Sequence, residues 1–200
     1  RVLFRSGHLN SAADKEQAKS VIDLGSGSGA ISIAIASEAT LKGLKVSMVA
    51  VEKSPEAAAW LNKNIAKYDL PIRVVVEDVA TALPDVKADV VVANPPYIPN
   101  DEKLPIEVAK FEPEMALRGG PVDGMQIPKL FIDAATRLLK PGGLLIIDQA
   151  LSGGKVADPT QRDPESIARR DAIKVVKEDE RWSASLVPIG AGLLVANKLT

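Results

Sequence analysis

The chain has no cysteine and only one histidine, His8, among its 200 residues. Without cysteine it can form no disulfide, no thiolate zinc site and no cysteine nucleophile. A single histidine likewise excludes histidine-based catalytic triads and metal sites built from several histidines, so we expect no metal centre. Aromatic residues make up 4% of the chain, whereas hydrophobic residues make up 46%. Valine, isoleucine, leucine and alanine must therefore fill the core, as they do in a buried parallel sheet.

The chain also has neither an excess of one sign of charge nor a long apolar run. The 25 basic and 26 acidic residues nearly cancel, so the chain has no general electrostatic attraction to nucleic acid. No apolar run approaches the roughly 18 residues that a membrane span needs, and no signal peptide is recognisable. These absences favour a cytoplasmic protein without a membrane partner. They leave the oligomeric state open.

The residues that are present alternate between strand and helix patterns. Strand patterns occur at Ser20–Leu24, Lys45–Val51, Ile72–Val76, Ala88–Ala93 and Leu144–Asp148, and a terminal hairpin pattern at Ser183–Ile189 and Leu193–Lys198. Helix patterns occur at Ala30–Glu38, Pro55–Tyr68, Met125–Leu139 and Pro164–Lys177. This order predicts an α/β fold with a mostly parallel sheet and a C-terminal antiparallel hairpin.

The domain organisation follows from the same pattern. We expect one domain over residues 20–200, long enough to bury a core, and an N-terminal extension over residues 1–19. Residue 1 is arginine, so we expect the chain to begin inside a longer protein, and Arg1–Ser6 carry no weight for the fold. Arg169 and Arg170 lie in the last helix pattern beside acidic residues, and we expect a solvated face there.

A glycine-rich turn follows the first strand pattern, at Asp23-Leu24-Gly25-Ser26-Gly27-Ser28-Gly29. Glycines allow a sharp turn and a close approach of the backbone to a ligand. Gly25, Gly27 and Ala30 also satisfy the dinucleotide fingerprint, so NAD binding is one interpretation. Asp23 favours another, because a carboxylate beside this loop would repel a pyrophosphate but suits an ammonium group. The ligand we favour is S-adenosylmethionine, which has an ammonium and a sulfonium but no phosphate.

Further acidic residues follow the next two strand patterns. Glu52 ends the second strand, where a carboxylate can accept hydrogen bonds from both ribose hydroxyls. Asp78 comes just after the third strand and could accept from the amine of an adenine, or could be an exposed loop acid. With their neighbours Lys53 and Val79, these residues complete the predicted cofactor site.

Residues 93–99 read Ala-Asn-Pro-Pro-Tyr-Ile-Pro, directly after the fourth strand pattern. Pro95 and Pro96 fix the backbone and donate no hydrogen bond, so Asn94 and the Pro95 carbonyl can act as two preorganised acceptors. Tyr97 adds an aromatic face. Such a site would bind a planar amine, either an amide or the exocyclic amine of a base. The alternative is a turn that ends the strand, since Asn-Pro is common in turns.

The interval from Pro95 to Pro128 has little periodicity and contains seven of the chain's 14 prolines. Long irregular connections in compact domains are usually functional or disordered, and the position after the fourth strand favours function. Its charged residues include Asp101, Glu102, Glu107, Glu112 and Glu114 against Lys103, Lys110 and Arg118. This acidic excess would weaken binding of a phosphate backbone and favours a protein substrate over nucleic acid.

In combination these motifs resemble class I S-adenosylmethionine-dependent methyltransferases that act on amino or amide nitrogen. The order of the glycine loop, Glu52, Asp78 and Asn94-Pro95-Pro96-Tyr97 carries that resemblance. Phe111-Glu112-Pro113, Ala116-Leu117, Gly119-Gly120 and Asp123-Gly124 extend it to the release-factor glutamine N5-methyltransferase (PrmC or HemK) family. It covers roughly residues 20 to 148. Pro121-Val122 lengthens the family's Gly-Gly-x-Asp-Gly by one residue, and Pro128 lies where the next helix should begin. We expect no counterpart of the family's N-terminal helical domain within these 200 residues.

The resemblance implies a Rossmann-like seven-stranded sheet, S-adenosylmethionine as methyl donor and a glutamine side chain in a peptide chain release factor as acceptor. It implies that Asn94, Pro95 and Tyr97 are catalytic, and that Asn94 also contacts the cofactor. The implied cofactor residues are Asp23, Gly25, Ser26, Gly27, Gly29, Glu52, Lys53, Asp78 and Val79. The implied substrate residues are Asn94, Pro95, Pro96, Tyr97, Phe111 and Glu112. Three alternatives stay open: transfer to a base amine of RNA or DNA, a fragment that binds the cofactor without turnover, and an NAD-dependent oxidoreductase.

Overall fold

The structure, a computed structural model, describes residues 17–200. Its strands are β1 (Lys19–Leu24), β2 (Val46–Glu52), β3 (Ile72–Val76), β4 (Ala88–Ala93), β5 (Ile98–Pro99), β6 (Arg118–Gly120), β7 (Leu139–Ile147), β8 (Trp182–Val187) and β9 (Leu193–Lys198). Its helices are α1 (Ala30–Leu41), α2 (Pro55–Tyr68), α3 (Ile106–Phe111), α4 (Glu114–Leu117), α5 (Gln126–Leu138) and α6 (Pro164–Glu178), with a 3₁₀ segment at Ser152–Ala157. The expectations for His8, Arg1–Ser6 and most of the extension over residues 1–19 lie outside the described residues.

Within residues 17–200, seven strands form one sheet in the order β3-β2-β1-β4-β7-β9-β8. The pairs from β3 to β7 are parallel, and β9 pairs antiparallel with both β7 and β8. The predicted mostly parallel sheet with an antiparallel C-terminal hairpin is therefore confirmed. No helix in the described part of the chain is long and apolar enough to cross a membrane.

The core lies on both faces of this sheet. Successive strand residues point to opposite faces, and neighbours such as Val21 and Ile22 accordingly belong to different apolar clusters. The cluster containing Val21 also includes residues of α1, whereas that containing Ile22 includes residues of α5 and α6. Covering both faces explains why the central strands are almost continuously aliphatic, as expected for a parallel sheet.

The helix boundaries agree with the local sequence signals. Ser54 caps α2 by accepting a hydrogen bond from the Ala57 amide, and Pro55 occupies the first turn, as the sequence predicts. Pro128 lies in the first turn of α5. A proline is tolerated there because the first amides of a helix have no intrahelical acceptor.

The interval from Pro95 to Pro128 is more ordered than the sequence predicts. It contains the short helices α3 and α4, and β5 pairs in parallel with β6. The Arg118 guanidinium donates to the carbonyls of Pro99 and Glu102, at 2.7 and 2.8 Å. These long-range contacts organise a segment whose local sequence has no helical or strand period.

Two other expectations were wrong in detail. Strand β7 begins at Leu139 rather than Leu144, because its pairing with β4 shifts register between Leu139 and Leu144, and the segment 140–143 forms the irregular part of the strand. Helix α6 is not a solvated helix: its buried residues are Ser166, Ala168, Arg169, Ala172, Ile173 and Val176. Their spacing gives one buried stripe, which the flanking charged residues conceal in the sequence.

Candidate active site

The carboxyl ends of three neighbouring strands bring the predicted site residues to one edge of the sheet. Leu24, the last residue of β1, pairs with Val51 of β2 on one side and with Ala93 of β4 on the other. The glycine loop, Glu52 and Asn94 therefore leave the sheet side by side. Ligands of open α/β sheets bind in the crevice beyond the carboxyl ends of the strands.

The glycine loop has the backbone conformations that only glycine adopts easily. Gly25 has a φ of +65°, and a Cβ there would lie 2.8 Å from Cζ of the Phe131 ring. Gly27 has a φ of +56°, but a Cβ there would meet nothing within 4 Å. The loop is thus packed against α5 at Gly25 and open at Gly27, which leaves room for a ligand to approach the Gly27 backbone. Ser26 is buried, and its amide donates to the Val51 carbonyl at 3.0 Å.

Asp23 is a buried carboxylic acid with one unused oxygen. Its side chain is 1% exposed, and Oδ2 accepts hydrogen bonds from the amide and the hydroxyl of Ser32 in α1. Oδ1 is buried without a hydrogen-bond partner among residues 17–200. Burial raises the pKa of Asp23 from 3.8 to about 7, against the opposing effect of the Ser32 hydrogen bonds. An unpaired buried acceptor of this kind calls for a donor, and a ligand ammonium would supply it.

Glu52 fixes the loop from the neighbouring strand. Its side chain is buried; Oε2 accepts from the Gly27 amide and Oε1 from the Ser54 amide, each at 2.8 Å. Each carboxylate oxygen has a further lone pair. Glu52 can therefore orient the loop and still accept from ribose hydroxyls, as the sequence predicts.

Lys53 and Asp78 form an ion pair at the next strand end. The distance from Lys53 Nζ to Asp78 Oδ2 is 2.8 Å, and Asp78 Oδ1 accepts from the Ala80 amide at 2.9 Å. The hydrogen bond and charge of Asp78 raise the pKa of Lys53, and the hydrogen bond from Lys53 lowers that of Asp78. Val79 is buried in the core beside them. Asp78 is thus an ionised acceptor held by two donors.

In the segment after β4, the side chain of Asn94 is exposed whereas most of the residues that follow it are buried. Asn94 is exposed, Pro95 and Tyr97 are buried, and Pro96 is half-buried. The Asn94 amide makes no hydrogen bond to any other residue that the structure describes, so both its oxygen and its nitrogen are available. Phe111 and Glu112, predicted to contact substrate, are exposed at the end of α3, with Phe111 76% exposed. The structure does not bury either of them against Asn94.

Gly119 and Gly124 pack against the backbone of this segment. A Cβ on Gly119 would lie 2.9 Å from the Pro96 carbonyl oxygen, and one on Gly124 only 2.1 Å from that of Tyr97. The Gly-Gly and Asp-Gly motifs therefore pack directly on the backbone of residues 96–97. These positions must therefore be glycine, because any side chain at either of them would displace the backbone of Asn94–Tyr97, which we call the acceptor segment.

Arg169 is a site residue that the sequence reading missed. It is 7% exposed, and its guanidinium carbon lies 4.3 Å from the centre of the Tyr97 ring. Burial raises the pKa of the Tyr97 hydroxyl, although the charge of Arg169 opposes the shift. Ser32, the partner of Asp23, was also missed. Small neighbours of Arg169, such as Ala168 and Ala172, are the sequence signal for a buried helix face.

No metal site accompanies these residues. Among residues 17–200, no group of three or more histidine, cysteine, aspartate or glutamate residues could hold a metal ion. The donor set of the crevice is instead suited to an organic ligand. Carboxylates at Asp23 and Glu52 match an ammonium and a pair of hydroxyls, and the open face of Gly27 permits close approach.

A doubly wound sheet with a glycine loop, a ribose-type carboxylate and an exposed asparagine at adjacent strand ends defines the class I methyltransferases, whose methyl donor is S-adenosylmethionine. The chain belongs to the methyltransferase small domain family, whose family model matches residues 6–110. A second family model, O-methyltransferase, matches residues 126–199. The glycine loop, Glu52, Asp78 and Asn94 all lie in the first match.

Similar proteins agree with this class. The chain is 38% identical over 146 residues to the release factor glutamine methyltransferase of Bifidobacterium longum, covering 67% of this chain and 48% of the relative. It is 39% identical over 142 residues to the protein of the same name in Caulobacter vibrioides, covering 68% of this chain and 47% of the relative. The chain thus spans about half the length of these relatives.

A solved structure supports the fold alone. The O-methyltransferase from Bacillus cereus, in complex with SAH, matches with a TM-score of 0.61 at 19% identity. The match covers 90% of this chain and 74% of that chain.

Proposed function

We propose that this chain transfers a methyl group from S-adenosylmethionine to the side-chain amide nitrogen of a glutamine in a peptide chain release factor. The observation that carries the proposal is the exposed Asn94 amide, which makes no hydrogen bond to the other described residues and precedes the buried Pro95 and Tyr97. It follows β4, one strand from Asp23 in β1 and two strands from Glu52 in β2. The names of the relatives support the same reaction and acceptor.

The cofactor end of the site is formed at the ends of three strands, β1, β2 and β3. Asp23 would pair its free Oδ1 with the ammonium group, Glu52 would accept from the ribose hydroxyls, and Asp78 would accept from the adenine amine. The Gly25–Gly29 backbone would lie along the ligand, with Ser26, Lys53 and Val79 fixing the loops around it. When bound, S-adenosylmethionine supplies an electrophilic methyl group on a sulfonium.

The acceptor end must overcome the low nucleophilicity of an amide, whose nitrogen lone pair is delocalised. The Asn94 side-chain oxygen and the Pro95 carbonyl would accept the two hydrogens of the glutamine amide and fix its nitrogen. Fixing reactants in this way contributes on the order of 7–11 kcal/mol in favourable cases. The same two acceptors stabilise positive charge that develops on the nitrogen. No strong base is needed before transfer, because the nitrogen can lose its extra proton to water after the C–N bond has formed and the methyl–sulfur bond has broken.

The remaining predicted contacts concern the acceptor protein. The half-buried Pro96 would contact the glutamine, with the buried Tyr97 packed beneath it, and the exposed Phe111 and Glu112 would meet the surrounding polypeptide. Acidic residues outnumber basic ones between Pro95 and Pro128, and the Arg118 guanidinium is already engaged by two carbonyls. This charge balance supports a protein acceptor over a phosphate backbone.

The test is a transfer assay with methyl-labelled S-adenosylmethionine. The chain is incubated with a mixture of a release factor, RNA and DNA, and the label is then challenged with protease or with nuclease. Protease-sensitive label is the expected result. Nuclease-sensitive label would replace the glutamine by a base amine, and binding of the donor without transfer would mean that the chain alone is inactive.

A second acceptor chemistry, a hydroxyl oxygen, is favoured by the O-methyltransferase model that matches residues 126–199. The location of the acceptor segment disfavours a hydroxyl acceptor. Asn94–Tyr97 lies in the region matched by the other family model, and a hydroxyl has only one hydrogen for the two acceptors. Adding small phenols and alcohols to the transfer assay distinguishes the two chemistries.

A further inference from the structure

The candidate acceptor segment is contacted by Arg169, a residue that lies far from it in the sequence. The Tyr97 ring is 3% exposed, and the Arg169 guanidinium from α6 covers one of its faces, with 4.3 Å between the guanidinium carbon and the ring centre. A planar, delocalised cation over an aromatic face is an attractive arrangement. It strengthens when water is excluded, as it is here.

The guanidinium itself is held by hydrogen bonds on its edge. Nη1 donates to the Gln149 carbonyl at 2.7 Å, and Nε and Nη2 both donate to Glu165 Oε1, at 3.1 and 2.7 Å. Gln149 lies just beyond the end of β7, so the guanidinium links Tyr97 to the sheet edge as well as to α6. Because its donors are in the plane of the group, its face stays free to stack on the ring.

Tyr97 is therefore restrained on two sides. The guanidinium covers its ring, and Gly124 lies so close to its backbone that a Cβ there would be 2.1 Å from the Tyr97 carbonyl oxygen. Only Pro95 and Pro96 separate Tyr97 from Asn94, and prolines have a fixed φ. A displacement of Tyr97 must therefore be transmitted to the Asn94 amide.

From this geometry we infer that Arg169 is a positioning residue, which sets the place of the Asn94 amide through the Tyr97 ring. The kinetic part of this inference rests on the proposed methyl transfer, whereas the structural part does not. Lysine cannot replace arginine here, because an ammonium lacks both the plane and the fork of donors.

The chain supplies a matched control and an internal reference. Arg170, next on the same helix, donates to the carbonyls of Lys155, Val156, Asp158 and Gln161, and has no contact with Tyr97 among those that the described residues make. The sequence contains two tyrosines, Tyr97 and Tyr68, and Tyr68 is 54% exposed at the end of α2. NMR of ring-labelled tyrosine therefore gives one reporter signal and one reference signal.

The experiment compares Arg169→Lys with Arg170→Lys by tyrosine NMR, calorimetric cofactor binding and transfer kinetics. In Arg169→Lys we expect the Tyr97 ring signal to move while that of Tyr68 stays. We also expect kcat to fall on the order of tenfold to a hundredfold, the effect of a small misplacement, with cofactor Kd unchanged. Arg170→Lys should leave the Tyr97 signal and kcat near those of the parent chain, although it lowers Tm.

An unchanged Tyr97 signal in Arg169→Lys, or a loss of kcat no larger than in Arg170→Lys, overturns the inference. If Arg169→Lys folds poorly, a double-mutant cycle of Arg169→Gln with Tyr97→Leu takes its place, because the positioning role requires the losses of activity in the two single variants to be non-additive. Additive losses contradict it. If the parent chain transfers no methyl group, the proposed function fails, and the Tyr97 signal alone then decides whether Arg169 fixes the segment.

Discussion

At the residue scale, the most informative group is the Asp23 carboxyl. Burial raises its pKa from 3.8 to about 7, and its Oδ1 has no partner among residues 17–200. Between these two pH values the folded chain keeps a proton that the unfolded chain has released. Stability without ligand must therefore fall as the pH rises through this window, by on the order of 4 kcal/mol, and level off above about pH 7.

Cofactor binding should show the opposite pH dependence. An ammonium group pairs with the ionised form of Asp23, so the affinity for S-adenosylmethionine is expected to rise as the pH increases from about 5 to about 7. Asp23→Asn should remove this slope, weaken binding and stabilise the chain without ligand. Calorimetric titrations and thermal unfolding across the pH range measure both effects. Asp85→Asn, at an exposed position, is the control, and an equal slope in Asp23→Asn would contradict the assignment.

Asn94 makes a different prediction, because it belongs to the acceptor end. Asn94→Ala removes one of the two acceptors proposed for the glutamine amide, so methyl transfer should be abolished while cofactor affinity stays nearly intact. Transfer assays and binding titrations on the same preparation measure the two quantities. The exposed Asn100 lies in the same segment, and Asn100→Ala should have little effect. Equal loss of transfer and of cofactor affinity in Asn94→Ala would show that the assigned role is wrong.

At the scale of elements, the glycines behind the acceptor segment can be separated from ordinary turn glycines. Gly124 and Gly190 have similar φ values, +67° and +61°, but a Cβ on Gly190 would meet nothing within 4 Å. Gly190→Ala should therefore lower the unfolding free energy only by the strain of a left-handed alanine, about 1–2 kcal/mol. Gly124→Ala must in addition displace Tyr97, and we expect a larger loss of unfolding free energy and a loss of kcat. Denaturant unfolding and transfer kinetics measure these, and similar values for both variants would refute the packing argument.

Val122 belongs to the same turn, in which Pro121-Val122 makes the motif one residue longer than in the family. It is 88% exposed and has a φ of +63°, a conformation that is unfavourable for a β-branched side chain. Val122→Gly should relieve this strain and stabilise the fold by about 1 kcal/mol without loss of activity. Denaturant unfolding measures the gain. Destabilisation by Val122→Gly would mean that the valine side chain makes a stabilising contact.

The elements also show where sequence reasoning succeeds and where it does not. Strands such as β1 and helices such as α2 were predictable because their signals are local: aliphatic runs, the Ser54 cap and Pro55. The order between Pro95 and Pro128 was not, since it depends on contacts with distant residues, such as the two carbonyls that bind Arg118. The start of β7 at Leu139 was not predicted, because Pro141, Gly142 and Gly143 are typical of a turn between a helix and a strand.

At the scale of the whole molecule, strand order explains why residues far apart in sequence form one site. Parallel pairing of β1 with β2 and β4 places the ends of these strands together, so Asp23, Glu52 and Asn94 could be grouped from the sequence alone. Arg169 could not, because nothing local indicates that α6 packs against Tyr97. The two family models divide the site in the same way. The first covers the strand ends that carry Asp23, Glu52 and Asn94, and the second covers α6, which carries Arg169.

Mass spectrometry can show directly whether the amide nitrogen of a release-factor glutamine receives the methyl group, as we propose. A purified release factor is incubated with S-adenosylmethionine and either the parent chain or Asn94→Ala, and its peptides are then sequenced by fragmentation. We expect one added methyl group on the side chain of a glutamine with the parent chain and none with Asn94→Ala. A methyl group on any other residue type, or equal methylation by both chains, would contradict it.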